Sequence, residues 1–261
     1  MPDERHQSRG VPADPEASPQ TGGTTAGAIV LEAHDVVRSY GRKKVLAGIS
    51  LTLRAGEGVA ILGRRNAGKS VLSRVLSGVA PPDSGWVATS APVAPIVGTG
   101  TGFGMTASVE RDLGLRAAAY GISTQDHLAD VASLLDDPDV LAQPFRHVDG
   151  VSRVLLTYGA SYLTPSDVYI VDGMPVPQVP AARAKLAALF RAARKRAAVL
   201  WLHSTAGQLR GIGPDRCLML EGGRLHPLSG IDEAEAHFLP RRGRGGPAPV
   251  PEDDEPPATD D

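Results

Sequence analysis

The segment "GRRNAGKS", Gly63 to Ser70, spaces two glycines, a lysine and a hydroxyl as G-x-x-x-x-G-K-S. In this pattern the backbone amides of a loop turn inward toward phosphate oxygens, and the lysine adds a cation. Gly63, Arg64, Arg65, Asn66, Ala67 and Gly68 are expected to form the cradle. Lys69 is expected to reach the terminal phosphates of a nucleotide and Ser70 to ligate magnesium. Context decides whether the pattern means anything. The apolar run "GVAIL" precedes the loop, and Val71, Leu72, Val75 and Leu76 fall on one helical stripe behind it. A buried strand that hands the chain to a helix N-terminus aims amides and the positive end of a helix dipole at an anion. Asn66 breaks the glycine character of the loop, yet asparagine tolerates positive φ better than most side chains, so the loop can still form. The competing reading is a glycine turn without a ligand.

Two more positions carry candidate chemistry. "DVYIVDG", residues 167–173, reads as a buried strand that ends in Asp172, the natural second anchor for a magnesium ion. The plainer reading of Asp172 is a strand-end carboxylate capping a turn. "AVLWLH", residues 198–203, is a strand that ends in His203. An imidazole there could meet a terminal phosphate or an attacking water, so His203 is the catalytic candidate; alone it would be an ordinary hydrogen-bonded histidine. Gly173 follows Asp172 directly and supplies no side chain to activate water.

These groups must be held by alternating strands and helices. "IVLEAHDVVRSY" and "SLTLRA" have the period-two spacing of strands, and "CLMLEGGRLHPL" reads as a hairpin turning at Gly222–Gly223. "SVERDLGLRAAAYG", "TQDHLADVASLLDD" and "VSRVLLTYGASYL" read as helices. So does "AARAKLAALFRAARKR", with Leu186, Leu189, Phe190 and Ala193 on one face and a basic last turn. The expected fold is α/β: a P-loop NTPase with a RecA-like, mainly parallel sheet, an inserted helical subdomain at about 104–165, and an antiparallel β portion.

Composition narrows the classes. With 261 residues and 42% hydrophobic content the chain can bury a sizeable core. A net charge of -2 and 4% aromatics argue against a nucleic-acid partner. The single cysteine, Cys217, allows no internal disulfide, which fits a reducing compartment. No apolar run is long enough to span a bilayer, and the first residues lack a hydrophobic signal core. Residues 1–28 and 239–261 are rich in Pro, Gly and charge and are expected to be disordered tails flanking a domain at 29–238.

From about Ile29 to Phe238 the sequence resembles the ATP-binding subunits of ABC transporters. Tyr40 in "VVRSYG" matches the aromatic that stacks on adenine in that family, and "LAGISLTLRAGEGVAILG" resembles the lead-in to the phosphate loop. "PPDSGWV" resembles the turn after the first helix, and "MLEGGRL" with "IDEAEAHF" resembles the closing hairpin and terminal helix. "GTGTGFGMTASVERDL", residues 98–113, is similar to the corresponding segment of capsular and O-antigen polysaccharide exporters. The resemblance implies ATP and Mg2+ as cofactors and a homo- or heterodimer of ATP-binding subunits. It also implies a membrane permease partner and a cytoplasmic location, peripheral on the inner face of the cell membrane.

The sequence departs from the family at telling places. Gly173 stands where the family has the glutamate that polarises water. The signature stretch is best matched by "HVDGVSR", residues 147–153, where Asp149 replaces the serine that binds the terminal phosphate of ATP on the opposite subunit. A carboxylate facing phosphate is repulsive. No aspartate follows in "GMPVPQVP", and no glutamine occurs in "GTGTGFGM". Loss of a positioned general base costs about 10²–10⁴ in rate. The expectation is a subunit that binds nucleotide and hydrolyses it slowly, or a non-hydrolysing regulatory or scaffold subunit of an export complex. A soluble P-loop protein of another class, such as a kinase, lacks any acceptor-site constellation here.

Overall fold

The structure is a computed structural model and describes residues 27–94, 96–98, 102–173, 179–209 and 213–238. All but two residues of the expected tails lie outside the described residues, as does 174–178 of "GMPVPQVP". In chain order the strands are β1 (Ile29–Tyr40), β2 (Lys43–Arg54), β3 (Gly58–Leu62), β4 (Ser84–Thr89), β5 (Val168–Asp172), β6 (Ala198–His203), β7 (Arg216–Glu221) and β8 (Arg224–Leu228). The α-helices are α1 (Lys69–Leu76), α2 (Val109–Ala119), α3 (Thr124–Ala132), α4 (Gly150–Leu163), α5 (Pro180–Arg196) and α6 (Ile231–Phe238).

The strands form two sheets. A three-stranded antiparallel sheet has the order β2-β1-β4, and a five-stranded sheet has the order β5-β6-β3-β7-β8. In the larger sheet β5, β6, β3 and β7 run parallel, and β8 returns antiparallel through the Gly222–Gly223 turn. This is the α/β architecture of a P-loop NTPase, with an antiparallel portion and helices inserted between β4 and β5.

The parallel strands are buried on both faces, which is why they read as continuous apolar runs. Along β5, Val168 and Ile170 join the cluster beneath α1 and the antiparallel sheet, whereas Tyr169 and Val171 join the cluster beneath α5 and α6. That division follows from the two-residue period of a strand. The helices α2, α3 and α4 pack around Val109, Leu113, Val131, Leu155 and Leu156 and rest on Ala182 and Leu186 of α5. Tyr158 and Leu189 touch both this cluster and the one beneath α5, joining the helices to the sheet.

The antiparallel sheet is pinned to the hairpin by close backbone approach. Ala47 N donates to Gly223 O at 2.8 Å. A Cβ on Gly223 would lie 2.8 Å from the Val45 carbonyl oxygen, and its φ of +75 also favours glycine. The start of β2 is thereby held beside the phosphate loop. The stretch "PPDSGWV", compared above with a turn, extends into β4, whose residues pair with β1. Its side chains are largely exposed, so it shows no apolar alternation to read.

Candidate functional site

The loop between β3 and α1 takes its shape from two glycines and an asparagine. Gly63 sits against β7: a Cβ there would be 2.9 Å from the Leu220 carbonyl oxygen. Asn66 adopts φ 62, the left-handed conformation anticipated for it, and Gly68 adopts φ 101 as the residue before α1. A Cβ on Gly68 would lie 2.8 Å from Val45 Cγ1, so only glycine lets β2 close over the loop.

The buried Lys69 side chain folds back along the loop. Its Nζ donates to Gly63 O at 2.8 Å and Arg64 O at 2.9 Å. Burial lowers its pKa, and the nearby Asp172 charge opposes that shift. Asp172 lies at the end of β5, where Ser73 Oγ of α1 approaches its carboxylate at 3.1 Å. The same hydroxyl is 3.0 Å from Ser70 O, which ties the carboxylate to the first turn of α1. Behind Asp172, the Tyr158 phenol is pushed up to about 12 by burial and by the Asp172 charge, so it stays protonated.

His203 ends β6 beside the loop, and its carbonyl accepts from Gly63 N at 3.1 Å. Its Nδ1 is held by Thr205, with the carbonyl oxygen at 2.9 Å and the amide nitrogen at 3.1 Å. That commitment leaves Nε2 as the ring atom available to a ligand. Burial lowers the His203 pKa, the bond that Nδ1–H donates to the Thr205 carbonyl opposes this, and the Lys69 charge adds to the lowering, which favours the neutral ring at pH 7.

These groups converge on a cavity of about 550 Å³, within the roughly 300–1,000 Å³ of small-molecule sites. Arg65, Asn66, Gly68, Lys69, Ser70, Asp172 and His203 line it, together with Gly173. Of the other candidates, Arg64 and Ala67 face a smaller cavity of about 130 Å³ on the far side of the loop, and Gly63 is packed beneath it. Tyr40 lies outside the cavity wall. It is 49% exposed, with the Arg38 guanidinium 5.4 Å from its ring, and it pairs across the β1–β2 turn with Lys43, which does line the cavity. Lys43, Val45 and Ser73 were not singled out from the sequence. Nothing local marks Lys43 or Val45; they arrive because the antiparallel sheet folds back over the loop.

The donor set suits a magnesium-bound phosphate chain: main-chain amides, an ammonium group, a serine hydroxyl and one carboxylate. No cluster of three or more His, Cys, Asp or Glu side chains occurs among the described residues. Magnesium in phosphate sites commonly takes only one or two protein carboxylates and completes its shell with water and phosphate.

Asp149 and Gly173 have their own local explanations. Asp149 is the N-cap of α4, and its carboxylate accepts from Val151 N at 2.9 Å and Ser152 N at 3.0 Å. The Ser152 side chain lowers its pKa most, and these backbone bonds add to that against a smaller opposing effect of burial. Gly173 adopts φ 82 just beyond β5, donating its N–H to Leu202 O at 2.9 Å, and a Cβ there would meet nothing within 4 Å.

Residues 46–149 match the family model described as "ABC transporter". Over that stretch the chain is similar to the ABC transporter family. The chain is 26% identical over 215 residues to the ATP-binding protein BexA of Haemophilus influenzae, covering 80% of this chain and 98% of that protein. It is 25% identical over 189 residues to the polysialic acid transport ATP-binding protein KpsT of Escherichia coli, covering 69% of this chain and 84% of that protein. Among solved structures, an ATP-binding subunit of an ABC transporter superposes with a TM-score of 0.65 at 21% identity, covering 82% of this chain and 95% of that one. That likeness establishes the fold. Among the described residues, no helix is long and apolar enough to cross a membrane.

Proposed function

We propose that this chain is the nucleotide-binding subunit of an exporter of polysaccharide or glycolipid, binding Mg-ATP at residues 63–70 and hydrolysing it slowly. The observation that carries this reading is the asymmetry of the cavity wall. Lys69, Ser70 and Asp172 stand together at the loop, while the position after Asp172 has no side chain. The named function of KpsT and the resemblance of residues 98–113 to polysaccharide exporters support the cargo class.

In this reading the loop amides and Lys69 hold the phosphates, and Ser70 and Asp172 would hold magnesium, which neutralises charge on the phosphate chain. Ser73 fixes the Asp172 carboxylate by its hydroxyl. His203, neutral and anchored through Nδ1, presents its other ring nitrogen to the terminal phosphate. Among the described residues no carboxylate other than Asp172 lines the cavity, so in this reading proton abstraction from water has no strong base.

Asp149 bears on the second half of the site, which the family assembles across a dimer. Its carboxylate already occupies the amides at the start of α4. A helix N-terminus that holds its own anion repels a second one from a partner subunit. Slow turnover therefore has two sources, one in each half-site. Both favour the second reading, a subunit that gates or scaffolds an export complex through nucleotide binding alone. Dimerisation, a permease partner and a peripheral position at the inner face of the membrane belong to either reading.

The deciding experiment is Mg-ATP turnover of the purified chain, alone and with its membrane partner. Slow hydrolysis accelerated by the partner supports the exporter reading. ATP binding with no turnover in either state supports the scaffold. No ATP or ADP binding at millimolar concentration ends both.

A further inference from the structure

Two cationic side chains in the cavity wall add to the main-chain cradle: Lys43, given no role so far, and Arg65, whose position was expected to belong to the cradle. Lys43 opens β2 and is exposed. Its place is fixed by packing rather than by motif: the β1–β2 register shifts at Val45, which covers Gly68, while Ala47 N donates to Gly223 O. Lys43 and Val45 both line the cavity as a result. Arg65 is exposed at the crest of the loop and lines both the main cavity and the smaller one behind it, where Glu221 and His237 also lie. Among the described residues, neither the Lys43 nor the Arg65 side chain has an ion-pair partner. With Lys69, three cationic side chains line the cavity against one carboxylate, Asp172, among the described residues.

We propose that Lys43 and Arg65 are polyphosphate-binding side chains that make this site select nucleotides by phosphate charge, favouring the triphosphate. The proposal rests on the nucleotide-binding reading of the cavity and adds to it a source of selectivity outside the loop motif. A cavity with surplus positive charge gains more from each phosphate added to its ligand, and the gain is screened by salt. The antiparallel sheet thereby contributes a charged group to the phosphate end of the site.

The test is calorimetric binding of ATP, ADP and AMP, with magnesium, at low and high salt. The proteins are the full chain and its Lys43→Ala, Arg65→Ala, double and Arg42→Ala variants. Arg42 neighbours Lys43 but lies outside the cavity wall. Both test positions are exposed, and a melting curve for each variant verifies folding. The expected result is about tenfold weaker ATP binding for each single variant, the size of one lost charge-assisted contact. The double variant should show a smaller ATP-to-ADP preference and a shallower salt dependence, with AMP little affected and Arg42→Ala unchanged. If ATP binds the full chain, and the double variant matches it in affinity, preference and salt slope, the inference is overturned and the nucleotide site stands. If the full chain takes up neither ATP nor ADP, the reading of the cavity itself fails and this inference fails with it.

Discussion

The sheet beneath the phosphate loop and the helices α2–α4 bury polar groups in different ways. Around the phosphate loop the buried polar side chains Lys69, Ser73 and His203 each have a hydrogen-bond partner and lie at or beside the cavity, whereas deeper in the same sheet the buried Trp201 Nε1 of β6 has none among the described residues. The helices bury Asp112, Arg116, His127, Ser152 and Ser161 away from any cavity wall described above. There the pairing is less complete: Asp112 accepts from Gly104 N at 2.6 Å, but both ring nitrogens of His127 lack a partner. Buried polarity at the phosphate loop thus lies at or beside a cavity, whereas in the helices, and at Trp201 and Tyr169 of the sheet, it lies away from that cavity. A second contrast lies within the site as proposed above: the loop side would keep the groups that bind phosphate, and the side formed by Gly173 and Asp149 would lack those that break it.

The largest effect expected on this contrast comes from the loop. Lys69→Ala removes a buried cation and its bonds to two loop carbonyls. ATP affinity should fall about a hundredfold, from charge-assisted bonds of roughly 1.5–3 kcal/mol. In a thermal melt with saturating ATP, the stabilisation seen for the full chain should vanish. An undiminished shift would remove Lys69 from phosphate binding and erase the difference between the two sides.

Restoring the decayed side should have a smaller effect in the opposite direction. Gly173→Glu combined with Asp149→Ser returns the carboxylate and hydroxyl of the family pattern. Serine caps helices nearly as well as aspartate, so α4 should survive. Turnover of Mg-ATP should rise about tenfold, short of the 10²–10⁴ typical of a positioned base. The shortfall follows from the φ of 82 at residue 173, which a glutamate would adopt under strain. If Gly173→Glu alone gives the whole rise, the Asp149 cap is irrelevant to hydrolysis. If the pair gives none, the site lacks more than these two groups.

Two glycines with left-handed backbones separate crowding from conformation. At Gly68 an added methyl would lie 2.8 Å from Val45 Cγ1, whereas at Gly173 it would meet nothing. Gly68→Ala should cost about 2–3 kcal/mol, clash and strain together, and Gly173→Ala about 1 kcal/mol from strain alone. Chemical denaturation measures both. Equal losses would mean that Val45 moves aside freely, and that β2 is not held against the loop.

How much of this was readable beforehand depended on whether the signal was local. The loop, α1, β5, β6 and the Gly222–Gly223 hairpin announce themselves because short-range pattern and turn chemistry coincide. Asn66 was readable for the same reason: its left-handed backbone is a local property of the residue type. The antiparallel strands β1 and β2 were readable from their period-two spacing, but the contribution of their sheet to the cavity was not. β4 has an exposed, unpatterned sequence, and Lys43 and Val45 reach the cavity only through packing of one sheet against a hairpin some 180 residues away in sequence. Asp149 was legible as a departure from a family pattern, but its role as the cap of α4 required the helix start to be located. Ser73 reaches Asp172 from the second turn of α1, and no spacing in the sequence pairs the two.

The smallest expected effect tests the first contrast, between sheet and helices, through pH. Burial lowers the His127 pKa, and the Arg116 charge lowers it further against a weaker opposing pull from Asp130. The unfolded chain takes up this proton near the ordinary histidine value of about 6.5, while the folded chain resists it until lower pH. Stability is therefore undiminished above that value and is lost as pH falls from it toward the folded pKa. His203 is shifted in the same direction by its own burial, but it keeps its Thr205 bond. Acidification from pH 7.5 to 5.5 should therefore raise amide exchange in α3 before it does so in β3, where every residue is buried and apolar or glycine. His127→Leu removes the two unpartnered nitrogens and should flatten the response in α3 while leaving ATP binding alone, with a change in melting temperature smaller than that of Gly68→Ala. If α3 and β3 loosen together in both proteins, the helices share the stability of the sheet and His127 is not their weak point.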